Sequence, residues 1–200
     1  MSTTTKERPI LFSAPMVNAI LADKKTQTRR VVKPQPYEVV PPDGGCGRRW
    51  EFSKRGLAYA WNTDAEPLAT GMVAHCPYGM PGERLWVREA WARGDTLEPD
   101  VLYRADDERR GRTTWRPSIH MPRWASRITL EITETDAKAE GVDDFFSGVY
   151  FPGYIEWSAA SANFRRLWDA LNAARGFAWE ANPWVWVVSF RRIDAEGSNA

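Results

Sequence analysis

The heptapeptide Trp184 to Phe190 (WVWVVSF) restricts the fold more than any other segment, because it is apolar at nearly every position. A strand with one wet face alternates apolar and polar side chains, whereas a strand without alternation has to be covered on both faces. The segment is therefore expected to be a buried central strand. Ser126 to Thr133 (SRITLEIT) sets Ile128, Leu130 and Ile132 against Thr129, Glu131 and Thr133, the pattern of a strand with one wet face. Pro81 to Trp91 opens on a Pro-Gly turn and continues with strand formers, including Leu85 and Val87. From Ser158 to Arg175, the spacing of Phe164, Leu167, Trp168 and Leu171 predicts an amphipathic helix closed by Gly176.

The remaining segments fill in around these elements. Arg8 to Phe12 is a short strand, Ser13 a helix N-cap with Pro15 in the first turn, and Val17, Ile20 and Leu21 the inward face of a helix to about Ala22. Pro34 to Ala74 is rich in Pro, Gly and polar groups, and the cluster Pro41, Pro42, Gly44 and Gly45 precludes regular structure, so a long loop insertion is expected. After Asp136 a short helical piece should run to Gly141. The order of elements is α+β and not the alternating β/α of a doubly wound sheet. With 200 residues, 43% apolar and 26% charged, one globular domain is expected over 8–193, with insertions at about 34–75 and 92–125. Residues 1–7 and 194–200 read as tails.

Lys and Arg number 27 against 26 Asp and Glu, so any polyanion site has to be local. Lys24, Lys25, Arg29, Arg30 and Lys33 crowd one short stretch. Only Cys46 and Cys76 occur, and no early apolar run is long enough for a signal peptide or a membrane span, so a cytoplasmic protein with reduced thiols and no membrane partner is expected. Cys46, His75, Cys76 and His120 lack the close spacing of zinc sites, and neither a metal nor a cofactor is expected. There is no GxxxxGKS loop for a nucleoside triphosphate. Most of the 11 tryptophans should fill the core; those in polar loops could stack on bases.

Two segments concentrate groups able to do chemistry. In Lys24 to Arg30, Lys25 and Thr28 are three apart, and a residual helical turn would set them on one face. A threonine hydroxyl becomes a nucleophile when a neighbouring base takes its proton, and a lysine serves when burial or nearby cations depress its pKa. The alternative is a solvated basic cap favoured by the helix macrodipole. The second segment, Trp115 to Trp124 (WRPSIHMPRW), mixes cations, aromatics and prolines. It either offers Ser118, His120, Arg123 and Trp124 to bases and phosphates, or packs Trp115, Ile119 and Trp124 against the domain.

The element Lys25-Thr26-Gln27-Thr28-Arg29-Arg30 resembles the K-T-x-T-x-R motif that ends the first helix of ASCH domains, relatives of the PUA RNA-binding fold. Gly82 to Val87 is similar to the family's G-D-x-L-x-V turn and strand, with Glu83 in place of Asp. Thr129 to Thr133, Ala137 to Gly141 and Val185 to Phe190 follow in the family's order, and the resemblance covers about half of the chain. Cys76 to Gly79 (CPYG) and the Trp115 to Arg127 segment look like the longer ASCH proteins of phages and prophages. The resemblance implies a PUA-like mixed β-barrel flanked by helices, acting on RNA, a nucleoside or a modified base. Among ASCH proteins, the bacterial N4-acetylcytidine amidohydrolases imply Lys25 as base, Thr28 as nucleophile and Glu140 as acidic partner, which would orient Lys25 or protonate the leaving amine; Lys24, Arg29 and Arg30 are candidate substrate contacts. A non-catalytic reader of RNA and a single-stranded ribonuclease are the other functions compatible with the family.

Overall fold

A computed structural model of the chain describes residues 5–39, 49–54, 57–62, 76–94, 101–106, 113–139 and 154–193. These residues form an α+β structure with β1 (Glu7–Leu11), α1 (Ala14–Leu21), β2 (Gln27–Val31), β3 (Tyr37–Val39), β4 (Arg49–Lys54) and β5 (Leu57–Asn62). There follow β6 (Arg84–Arg88), β7 (Trp91–Arg93), β8 (Val101–Tyr103), β9 (Thr129–Ala139), α2 (Tyr154–Asn172) and β10 (Trp184–Ile193). A five-stranded mixed sheet has the order β1-β6-β9-β10-β2, with β1 parallel and β9 antiparallel to β6. The WVWVVSF segment thus lies between two strands, and its residues Val185 to Val188 and Phe190 are buried, as the lack of alternation requires. The chain divides into two compact units, one of 1–28, 74–135 and 188–200, the other of 29–73 and 136–187.

In the first unit, Ile128, Leu130 and Ile132 of the SRITLEIT segment are buried, as are Leu85 and Val87 of β6. Each such side chain contributes roughly 1.5–3 kcal/mol through removal of apolar surface from water. Helix α1 starts from Ser13 in extended conformation and buries Val17 and Ile20. Its end is sharp. Asp23 takes a left-handed conformation (φ 53°), its N–H bonds to the Ile20 carbonyl, and the Lys24 N–H bonds to that of Ala19. This is the Schellman arrangement, with an aspartate where glycine is usual. The helix therefore does not continue to Thr28: Lys25 precedes the strand β2, and the expected helical turn joining Lys25 to Thr28 is replaced by extended chain.

The CPYG segment has a structural role in the same unit. Cys76 is buried, and Gly79 adopts φ 121°, where a Cβ would fall on the Arg8 guanidinium and the Glu83 carboxylate, themselves an ion pair. The Gly79 carbonyl accepts a hydrogen bond from the Thr135 hydroxyl at 3.1 Å. Glycine is required here by both space and backbone conformation.

In the second unit, Trp168, Val185 and Val187 form a core against which Val31, Phe164 and Trp179 pack. Phe164 and Trp179 meet edge to face at 5.8 Å, and the Trp168 indole N–H donates to the Phe177 carbonyl at 2.9 Å. The predicted closure at Gly176 is present, with φ 83°. Gln35 closes the start of β10: its amide NH2 donates to the carbonyls of Val32 (2.7 Å) and Trp184 (3.1 Å), and its oxygen accepts from the Trp184 N–H (2.7 Å).

Further sequence expectations are corrected: Leu167 and Leu171, expected with Phe164 and Trp168 on the packed face of α2, are 49% and 50% exposed. The 34–75 segment is not all loop, since β3, β4 and β5 within it form an antiparallel three-stranded sheet. The chain after Asp136 is not helical over its described part, since β9 runs on to Ala139. Two substitutions test these assignments by denaturant unfolding. Gln35→Ala, which removes the Gln35 acceptor of the Trp184 N–H and leaves the Trp184 carbonyl with the Val32 N–H, is expected to lower stability by about 1–3 kcal/mol. Gly79→Ala forces a side chain into a disfavoured φ and displaces the ends of Arg8 and Glu83, and its expected cost is about 1–3 kcal/mol.

Candidate functional site

The first unit contains Lys24, Lys25 and Thr28 of the basic segment. Lys24 is exposed and Lys25 half-buried. The Lys25 ammonium donates to the Gln27 carbonyl at 2.8 Å and stands 5.9 Å from the centroid of the Phe12 ring, which itself packs on Phe190 at 6.0 Å. Thr28 is only 4% exposed. On a strand, successive side chains point to opposite faces, so Thr28 is turned away from Gln27, whose amide donates to the Ser189 hydroxyl at 3.3 Å. Arg29 and Arg30 belong to the second unit, where the Arg29 guanidinium lies 5.4 Å over the Phe164 ring. Glu140 lies outside the described residues, as do Cys46 and His75.

The 115–124 segment also lies in the first unit and forms two 3-10 turns, Ser118–His120 and Arg123–Ala125, each entered from a proline. Met121 and Ala125 are fully buried and anchor the turns beside Trp91. Ser118 is half-buried, and His120 is exposed. Ile119 and Trp124 are 58% and 57% exposed, so of the two expectations for this loop it is exposure that holds for them.

Trp124 belongs to a connected set of rings and guanidinium groups. It meets Trp91 edge-on at 5.9 Å, Arg93 lies over Trp124 at 5.7 Å, and Arg116 lies over Trp91 at 5.1 Å. Arg88 and Arg123 lie over Trp86, at 4.7 and 5.9 Å. Arg123 is tied to Glu7 (2.9 Å) and holds the Glu7 carboxyl below the usual carboxylate range by hydrogen bonding. Arg88, Arg93 and Arg116 have no carboxylate partner among the described residues. Sequence reasoning missed these three, although Trp86-x-Arg88 alternation on one strand face was a signal for the first pair.

A buried carboxylate was missed as well. Glu89 is 1% exposed, and among the described residues it is the only buried acid. Its oxygens accept two bonds from Arg127, Nε to Oε1 at 3.0 Å and Nη2 to Oε2 at 3.2 Å. Arg127 also pairs with Asp106 and stacks on the Tyr103 ring at 4.0 Å. The detectable signal was phase, since Glu89 continues the inward parity of Leu85 and Val87. Among the described residues no group of three or more His, Cys, Asp or Glu side chains converges as a metal site would.

Burial raises the Glu89 carboxyl above the usual carboxylate range, although Arg127 pulls it down. An elevated folded-state pKa supplies stability that is complete at pH values below the unfolded pKa and fades as pH rises through the elevated one. Glu89→Gln removes this titration. In urea unfolding between about pH 4 and pH 8, the wild type is expected to lose stability relative to Glu89→Gln as pH rises. Comparison of the chain with family models, with curated proteins and with solved structures finds no match to any of the three.

Proposed function

We propose that this chain is an ASCH-type, PUA-like barrel protein acting in the cytoplasm on RNA or a nucleoside, and that its reaction is removal of an acyl group from the exocyclic amine of a modified cytidine. The connected rings and guanidinium groups around the exposed Trp124 carry this reading. Such a surface stacks bases through ring faces and attracts phosphate through arginine, and it suits single-stranded nucleic acid because every base has a π-face.

The reaction draws on Lys25 and Thr28, which share the first unit. The Thr28 hydroxyl adds to the amide carbonyl while the Lys25 amine accepts its proton. The C–N bond then breaks, the amine leaves with that proton, and water hydrolyses the acyl-threonine to release the carboxylic acid and restore the hydroxyl. Glu140 is the acidic partner that the ASCH resemblance implies. Lys24, in the same unit, is the cation for the oxyanion formed on attack.

The non-catalytic reading, an RNA or modified-base reader, is favoured by the same array. Incubation with N4-acetylcytidine and, separately, with labelled single-stranded RNA distinguishes the readings. Deacetylation that disappears in Lys25→Ala and Thr28→Ala supports the hydrolase. Salt-sensitive RNA binding without product supports the reader, and cleavage of unmodified RNA a ribonuclease. Trp124→Ala is expected to weaken binding of a single strand by about 1–3 kcal/mol without loss of fold. Unchanged affinity in that variant would remove the observation on which the proposal stands.

A further inference from the structure

Two N–H donors in the first unit, Nε of Arg88 and Nε1 of Trp91, are buried with no acceptor among the described residues. They lie within four residues of each other in sequence, where β6 gives way to β7. A buried donor left unpaired is disfavoured in a folded protein, and most native structures supply an acceptor from protein, water or ligand. Trp91 is 2% exposed, so its indole N–H has no access to bulk water to compensate.

The surroundings specify the missing acceptor. The Arg116 guanidinium stands 5.1 Å from the Trp91 ring, and the Arg116 and Trp91 backbones bond to each other in both directions, at 2.8 and 3.2 Å. Arg88 and Arg116 have no carboxylate among the described residues. A group that takes hydrogen bonds from N–H donors and neutralises unpaired guanidinium charge is an oxyanion, and arginine forks suit phosphate.

We infer that the β6–β7 junction is a phosphate subsite, made by the Arg88 and Arg116 guanidinium groups and completed by the Trp91 indole N–H. Its ligand is the phosphate of a nucleotide whose base stacks on the neighbouring array. This rests on the proposed action on RNA or nucleosides and narrows it: the substrate is a phosphate-bearing nucleotide, free or in a strand, and not a bare nucleoside. Arg116 is exposed, so its guanidinium meets the phosphate from the solvent side, and its place over the ring brings that charge beside Trp91.

Calorimetric titration of the full chain with N4-acetylcytidine, its 5′-monophosphate and inorganic phosphate tests the subsite. The monophosphate is expected to bind about 10-fold more tightly than the nucleoside, as one charge-assisted contact supplies. The ratio of monophosphate to nucleoside affinity should fall to about 1 in Arg116→Gln and shrink in Trp91→Phe, which keeps a ring and removes the N–H, whatever either variant does to base stacking. Equal affinity for nucleoside and monophosphate in the wild type, or an equal loss for both in Arg116→Gln, overturns the subsite and leaves the nucleoside reading standing. Binding of inorganic phosphate that depends on Arg116, without binding of either cytidine ligand, upholds the subsite and overturns the cytidine reading. Absence of all binding overturns both.

Discussion

A carboxylate enclosed in an apolar unit has to be met by a cation, and the Glu89–Arg127 pair satisfies that requirement at the point where β6 ends. Much of the 101–127 excursion converges on it. Asp106, just beyond β8, takes another edge of the same guanidinium, and Tyr103 covers its face. The Tyr103 hydroxyl then donates to the Ala125 carbonyl at 3.0 Å, and Met121 packs its sulfur against the Glu89 N–H at 3.4 Å. The turns that display Trp124 are thus pinned to the sheet through one buried ion pair.

The parts of the fold legible in the sequence are those where one burial pattern persists. The unbroken apolar run of β10, the alternation from Ile128 to Ile132 and the closure at Gly176 all lie where periodicity placed them. The errors fall where the pattern slips. In β9 the buried positions change phase, from Ile128, Leu130 and Ile132 to Thr135 and Ala137, across the exposed pair Thr133 and Glu134. Two exposed neighbours in a row imitate a turn, although a strand tolerates such a slip as it does a bulge. The end of α1 was placed correctly at about Ala22; what stayed hidden is the extended chain that follows the left-handed Asp23. In the 34–75 segment the Pro and Gly cluster outweighed the alternation of Trp50 and Phe52 in β4.

The candidate site was half legible for a similar reason. Composition singled out two cationic stretches, and both retain semi-buried or exposed functional side chains. Neither spacing nor composition shows how cations are partnered. Arg123 is committed to Glu7, whereas Arg88, Arg93 and Arg116, less conspicuous in the sequence, face rings with no acid among the described residues. A chain whose total charge is nearly balanced, 27 basic against 26 acidic residues, still acquires a positive surface when acids are used up elsewhere.

The prolines that enter the two 3-10 turns, Pro117 and Pro122, have a thermodynamic consequence. Each ring removes a backbone rotation, and Met121 and Ala125 clamp the intervening chain from below. The indole of Trp124 is consequently held out on a stiff pedestal. Any group that packs on it meets a surface that surrenders little disorder on contact, and more of the contact energy is retained.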